Sequence, residues 1–296
     1  MSEAIRSWWN RHPMTYGEVH GQSCYGGEEQ AFGTLEFFTR LDAVFHAWNH
    51  PLHGERPFSR LFPYDRYGSG SRILEVGCGL GTMAMHWANA GAMVTAVDLN
   101  PTAVAQTQRR FELMGLSGDV READARHLPF PDDHFDYVYS WGVLHHSPDI
   151  ERSVAEMMRV LRPGGGYGIM LYHRRSILQW YMTDYLEGFL HMERRFLTPL
   201  QLASRYGDGS RQEGNPHTWP LTRQELLTLL ADHSPDRQVR ILGTDLDSIL
   251  RFLLPGLGLL LPAWAKKVWA RRLGWSLWAW GHKNGTQPFS TLPKRV

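Results

Sequence analysis

Ile73-Leu74-Glu75-Val76-Gly77-Cys78-Gly79-Leu80-Gly81 is the stretch that decides how this chain is read. An apolar run ends on an acid, turns through glycines at every second position, and leads into Thr82–Ala90, a helical segment closed by Gly91. Glycine at a strand-to-helix turn lets the backbone approach a ligand, because a side chain there would occupy the ligand's space. The next apolar strand, Met93–Val97, runs into Asp98, about twenty residues beyond the loop. An acid at that place accepts hydrogen bonds from both hydroxyls of a ribose.

Two details separate this loop from a dinucleotide loop. Its glycines run G-x-G-x-G, whereas the dinucleotide fingerprint is G-x-G-x-x-G. Glu75 also precedes the first glycine; a carboxylate there repels a pyrophosphate but suits a ligand bearing an ammonium and a sulfonium. The charge logic favours S-adenosylmethionine over NAD.

Working outward, Pro101–Met114 reads as a helix with proline in its first turn. Val120–Ala123 and Phe135–Ser140 read as strands, and Ile150–Leu161 as a helix. Tyr167–Tyr172 reads as a fifth strand behind the turn Pro163-Gly164-Gly165-Gly166. Strands alternating with helices over short connections predict an α/β fold, a parallel sheet covered on both faces. After His173 the alternation stops. Ser176–His191 is an aromatic-rich helix, Arg205–Pro220 a polar loop, and Thr222-Arg-Gln-Glu225 a capping box. Val239–Leu242 and Trp275–Trp280 complete the sheet, with the leucine-rich, proline-broken segment between them read as a helical hairpin.

Upstream, residues 1–66 form an aromatic- and histidine-rich cap, including Trp8, Trp9, His12, Tyr16, His20 and Tyr25. Within it, Glu36–Trp48 is an amphipathic helix with Phe37, Leu41, Phe45 and Trp48 as its apolar stripe. The expected organisation is this cap, a ligand-binding core at 67–175, substrate-side insertions with the last two strands at 176–283, and a loose tail at 284–296.

A formal net charge of +1 offers no basic field for a nucleic-acid backbone. Two cysteines, Cys24 and Cys78, exclude a disulfide framework and point to a reducing cytoplasm. The first residues lack the basic start and apolar core of a secretion signal. The longest apolar run, Phe252–Ala265, is broken by Pro255 and Pro262 and falls short of the ~20 residues a membrane span needs. Peripheral contact through Leu250–Trp269, flanked by Lys266, Lys267, Arg271 and Arg272, is a less favoured reading than a buried hairpin or a contact between subunits.

Taken in order, Glu75-Val-Gly-Cys-Gly-Leu-Gly81, Val97-Asp98, Asp124-Ala-Arg-His-Leu-Pro-Phe130, Phe135-Asp136, Val143-Leu144-His145-His146 and Leu161-Arg-Pro-Gly-Gly165 resemble class I S-adenosylmethionine-dependent methyltransferases of the UbiE/type 11 group. The likeness covers roughly residues 70–173. It implies a Rossmann-like seven-stranded sheet whose last strand is antiparallel, with S-adenosyl-L-methionine as cofactor. By position, Glu75, Gly77, Cys78, Gly79 and Gly81 belong to the loop at the methionine end. Asp98 and Leu99 hold the ribose and flank the adenine, Asp124 and Ala125 reach the adenine edge, and Ser140, Trp141 and Gly142 lie beneath the sulfonium.

The expected reaction is methyl transfer to a small-molecule acceptor at oxygen, with His145, His146 or His173 as candidate bases. Loop histidines that only pack the floor of the cofactor site are the plainer alternative. Two rival readings stand beside it: carbon methylation of a quinone or lipid-like acceptor at a membrane surface, and a scaffold that binds the cofactor without turnover. The histidines are scattered, with no pair at helical metal spacing backed by cysteines, so no metal is expected.

Overall fold

The computed structural model describes residues 2–11, 32–207, 214–243 and 261–285. Its strands are β1 (Arg72–Val76), β2 (Met93–Asp98), β3 (Asp119–Glu122), β4 (Phe135–Trp141), β5 (Leu161–Tyr172), β6 (Gln238–Leu242) and β7 (Ser276–His282). They form one sheet in the order β3-β2-β1-β4-β5-β7-β6. The first five run parallel, and β7 lies antiparallel to both β5 and β6. This is the expected Rossmann-like arrangement, and the change of strand order at β1 and β4 opens a crevice at their carboxyl ends.

Alternate residues of β1 supply opposite cores. Ile73 packs with Trp87, Val94, Phe111 and Tyr137 on one face. Leu74 packs with Val138, Val154, Met157 and Ile169 on the other. Apolar side chains on both faces keep β1 in the centre.

The helix after β2, Pro101–Leu113, is capped by Asn100, whose side chain accepts the Thr102 N–H at 2.8 Å. Thr222 and Glu225 form the expected capping box. The turn read at Pro163–Gly166 lies inside β5 instead. Pairing jumps from Phe135↔Leu161 to Tyr137↔Gly166, so the intervening residues bulge out of the ladder. Gly165 is obligatory there, because a Cβ would lie 2.9 Å from the Asp136 carbonyl oxygen. Gln179–Leu190, expected to be helical, is wound as a π-helix.

Helix Leu35–Trp48 buries Phe38, Leu41, Asp42 and Phe45, whereas Trp48 is exposed. The stripe is rotated from the sequence reading because Asp42 is drawn inward. Its Oδ1 accepts from Thr82 Oγ1 at 2.8 Å and from buried Arg110 Nη1 at 2.9 Å. One turn on, His46 Nε2 and His86 Nε2 are 2.8 Å apart. These polar pairs fasten the cap to Thr82–Asn89, the helix that follows the glycine loop.

Helix Ser2–Arg11 crosses the carboxyl edge of the sheet. Asn100 Nδ2 donates to the Trp9 carbonyl at 2.7 Å, Arg6 pairs with Glu122 at the end of β3, and the Trp9 ring packs 5.0 Å from that of His146. His12, Tyr16, His20 and Tyr25, loop residues 208–213, the apolar insert from 244 to 260 and the tail from 286 lie outside the described residues.

Candidate active site

Gly77, Gly79 and Gly81 all have positive φ, at 83°, 52° and 79°. Beyond that shared φ, two of them are held to glycine by packing and the third is not. A Cβ on Gly77 would lie 2.2 Å from Val143 Cγ2, and one on Gly81 would lie 2.8 Å from Thr107 Cγ2. A Cβ on Gly79 would meet nothing within 4 Å. Gly77 and Gly81 are therefore required by packing, while Gly79 adjoins open space where a side chain would stand.

Asp98 closes the other wall. Its Oδ2 accepts the Gly79 N–H at 2.9 Å and its Oδ1 the Asn100 N–H at 2.9 Å. Burial pushes its carboxyl up, against the pull of the Asn100, Gly79 and Leu99 N–H groups. The helix-capping role is taken by Asn100, and the two Asp98 oxygens tie the glycine loop to the start of that helix. Cys78 is buried, with its thiol 3.7 Å from Thr107 Oγ1 behind the loop.

Glu75 lies beneath the loop and is 2% exposed. Burial raises its pKa to about 8, with nearby Asp98 adding to the shift and the Tyr139 hydroxyl and Ala84 N–H opposing it. Neither Oε2 of Glu75 nor the Tyr139 hydroxyl has a hydrogen-bond partner of good geometry. Glu75, expected as a carboxylate, is in this fold mostly the neutral acid at pH 7, and a cation placed beside it would have to draw out its charge.

The wall formed by Leu99, Asp124 and Ala125 is half-open. Arg126 grips Asp124 through its N–H, at 2.9 Å, and through its guanidinium. Burial alone would raise the Asp124 carboxyl, but these bonds outweigh it and hold the group below its usual range. Leu99 and Ala125 are half-buried beside it. Ser140 is fully buried and donates to the Val76 carbonyl at 2.8 Å, so its hydroxyl joins β4 to β1 rather than facing a ligand. Gly142 has φ 73° and Trp141 packs on Phe58, with ring centroids 5.5 Å apart.

His145 and His146 occupy the turn after β4, with ring centroids 4.2 Å apart. His146 Nδ1 lies within 3.1 Å of Asn215 Nδ2, Thr218 Oγ1 and the His217 carbonyl. His145 is fully buried against Tyr172, at 3.9 Å between centroids, and neither of its ring nitrogens has a hydrogen-bond partner. Burial, then the neighbouring His146 and His217, push its pKa well below the usual histidine range, so it is neutral. His173 stands apart from this pair, its Nδ1 3.1 Å from the Gly274 carbonyl. Sequence reasoning missed Asn100, Arg110 and the His46–His86 pair; Asn100-Pro101, a cap followed by a first-turn proline, was the one available signal. Among the described residues no group of three or more His, Cys, Asp or Glu is placed to hold a metal ion.

Compared with protein families, residues 74–169 match the methyltransferase domain. Sterol 24-C-methyltransferase of Gibberella zeae is 34% identical over 146 residues, which is 48% of this chain and 35% of that protein. The methyltransferase GfsG of Streptomyces halstedii is 35% identical over 139 residues, 46% of this chain and 50% of that one. The chain thus spans at most about half the length of these relatives. Among solved structures, the complex of the Haloferax volcanii Trm112 methyltransferase activator with a methyltransferase matches with a TM-score of 0.57 and 14% identity, over 96% of this chain and 100% of that one. Residues 74–169 of this chain thus match a methyltransferase domain, and the chain as a whole has the Rossmann-like fold of the solved structure it resembles.

Proposed function

We propose that this protein transfers the methyl group of S-adenosylmethionine to a hydroxyl of a small-molecule acceptor bound at the carboxyl edge of β4 and β5. The observation that carries the cofactor side is the open space beside Gly79, where a Cβ would meet nothing, in a loop tied by its N–H to the Asp98 carboxyl. When bound, the cofactor supplies an electrophilic methyl for in-line displacement. The chain's own contribution is to position and to exclude water. Asp98 holds the ribose, the loop backbone cradles the methionine end, and helix Ser2–Arg11 covers the edge through Trp9.

His145 is the proposed proton acceptor. Both of its ring nitrogens lack a partner, so one can accept a hydrogen bond from an acceptor hydroxyl; burial makes the ring a weak base, so the proton passes to it only as the methyl moves. His146 is held by Asn215, Thr218 and the His217 carbonyl and orients its neighbour. The test is mass analysis of products formed from methyl-labelled cofactor and a panel of hydroxylated acceptors. No labelled product, with S-adenosylhomocysteine still bound, would favour the non-catalytic scaffold. The second reading, carbon methylation of a lipid-like acceptor, draws on the likeness to a sterol 24-C-methyltransferase. Label retained on carbon rather than released by ether cleavage decides for it.

A further inference from the structure

The π-helix Gln179–Leu190 and the turn after it leave six large apolar side chains in solvent: Trp180, Tyr185, Phe189, Leu190, Met192 and Phe196. Trp180 is 57% exposed, Phe189 68% and Phe196 83%. Trp180, Tyr185 and Phe189 stack on one another, with centroids 5.8 and 6.1 Å apart and ring planes within 21°. An exposed apolar cluster of this size marks an interaction surface.

Its charges are one-sided. The acids of this region are already engaged: Asp184 by Arg194 at 3.0 Å, Glu187 by His191 at 2.7 Å, and Glu193 by the Tyr206 hydroxyl at 2.7 Å. Arg175 and Arg195 are exposed and have no carboxylate partner among the described residues. The second element at the same edge repeats the pattern. Helix Ala263–Leu273 ends at Gly274, whose carbonyl contacts the His173 ring just before the π-helix. It contains no acid, and it exposes Trp264 and Val268 together with Lys267, Arg271 and Arg272. Trp264, Lys267, Val268 and Arg271 follow helical spacing and so share one face.

We infer that this edge docks on an anionic lipid bilayer. Aromatic side chains beside unpaired cations are what the headgroup region of an anionic membrane accepts. A second copy of the chain fits worse, since a two-fold contact would set each cationic rim against itself. Among the described residues no helix is long and apolar enough to cross a membrane. The inference deepens the proposed function and rests on it: an acceptor at the β4–β5 edge would be taken from the membrane side, and its class would be amphiphilic.

The experiment is co-flotation of the full chain with vesicles of phosphatidylcholine alone or containing about one-third phosphatidylglycerol. The chain should float with the anionic vesicles at low salt and be released by high salt. Phe189→Ser with Phe196→Ser, and separately Arg195→Glu with Lys267→Glu, should each lower partitioning about tenfold or more. Affinity for S-adenosylhomocysteine, and the melting temperature, should stay unchanged, so failure here is distinguishable from failure of the methyltransferase reading. Partitioning that is absent, equal for neutral vesicles, or unaffected by both variants overturns the inference. So does a dimer that the Phe189→Ser, Phe196→Ser variant dissociates, which assigns the surface to a second copy.

Discussion

Replacing Glu75 by glutamine should make the protein more stable and its cofactor site weaker, both in a pH-dependent way. Glu75 is buried with a pKa of about 8, against 4.5 for the free side chain. A raised value means the folded state holds the proton more tightly than the unfolded chain. Its stabilising effect is complete below pH 4.5 and is lost as pH rises through 8. At about 1.4 kcal/mol per pH unit of mismatch, the penalty is on the order of 3 kcal/mol at pH 7 and approaches about 5 above pH 8. A neutral amide at this position carries no such penalty. Urea denaturation of the ligand-free protein should therefore show the wild type losing stability from pH 6 to 9, while Glu75→Gln stays flat. Binding runs the other way. Only about one molecule in ten has Glu75 ionised at pH 7, and about half at pH 8. If the ionised acid attracts the cofactor ammonium, affinity for S-adenosylhomocysteine should rise about fifty-fold from pH 6 to 8. Titration calorimetry in buffers of different ionisation heat should show a proton released on binding below pH 8. A wild-type affinity that is flat over this range, or a variant that keeps the slope, would refute the assignment of Glu75 to the cation.

The remaining predictions separate packing from binding. Gly77→Ala should destabilise the fold by about 2–4 kcal/mol, since its Cβ meets Val143 and its φ is positive. Gly79→Ala should cost only about 1 kcal/mol, yet abolish calorimetric binding of S-adenosylhomocysteine; retained binding would remove Gly79 from the cradle. Asp98→Ala should weaken that binding by about 10- to 100-fold, the worth of a lost charge-assisted hydrogen bond or two, and an unchanged Kd would displace Asp98 from the ribose. His145→Phe should lower kcat by about 10²–10⁴ while leaving cofactor affinity intact. The same loss in His146→Phe, with His145→Phe fully active, would exchange their roles.

How far this fold was legible in the sequence follows from how local each cause is. The glycine loop, Asp98 and the capping box are set by neighbours in the chain, and the structure places them as their spacing requires. The protonation of Glu75 was not legible, because it depends on burial beside Tyr139 and below Asp98, residues on other strands. Nor could spacing separate His145 from His146, identical and adjacent. Their difference comes from Asn215 and Thr218, some seventy residues on, which take up one ring and leave the other bare. The membrane question shows the same limit most sharply. Hydropathy drew attention to Phe252–Ala265, because a run of leucines scores highly whatever covers it. The exposed apolar surface at Trp180, Tyr185 and Phe189 scores modestly, since polar Thr183, Asp184 and Glu187 lie between its members. In a π turn, whose hydrogen bonds run from i to i+5, residues four and five apart stand one above the other. That winding gathers the three rings into a single ladder, while Thr183 and Glu187 turn into the protein. Which apolar residues a protein offers to a partner is therefore settled by backbone winding and tertiary cover, and a window average along the chain contains neither.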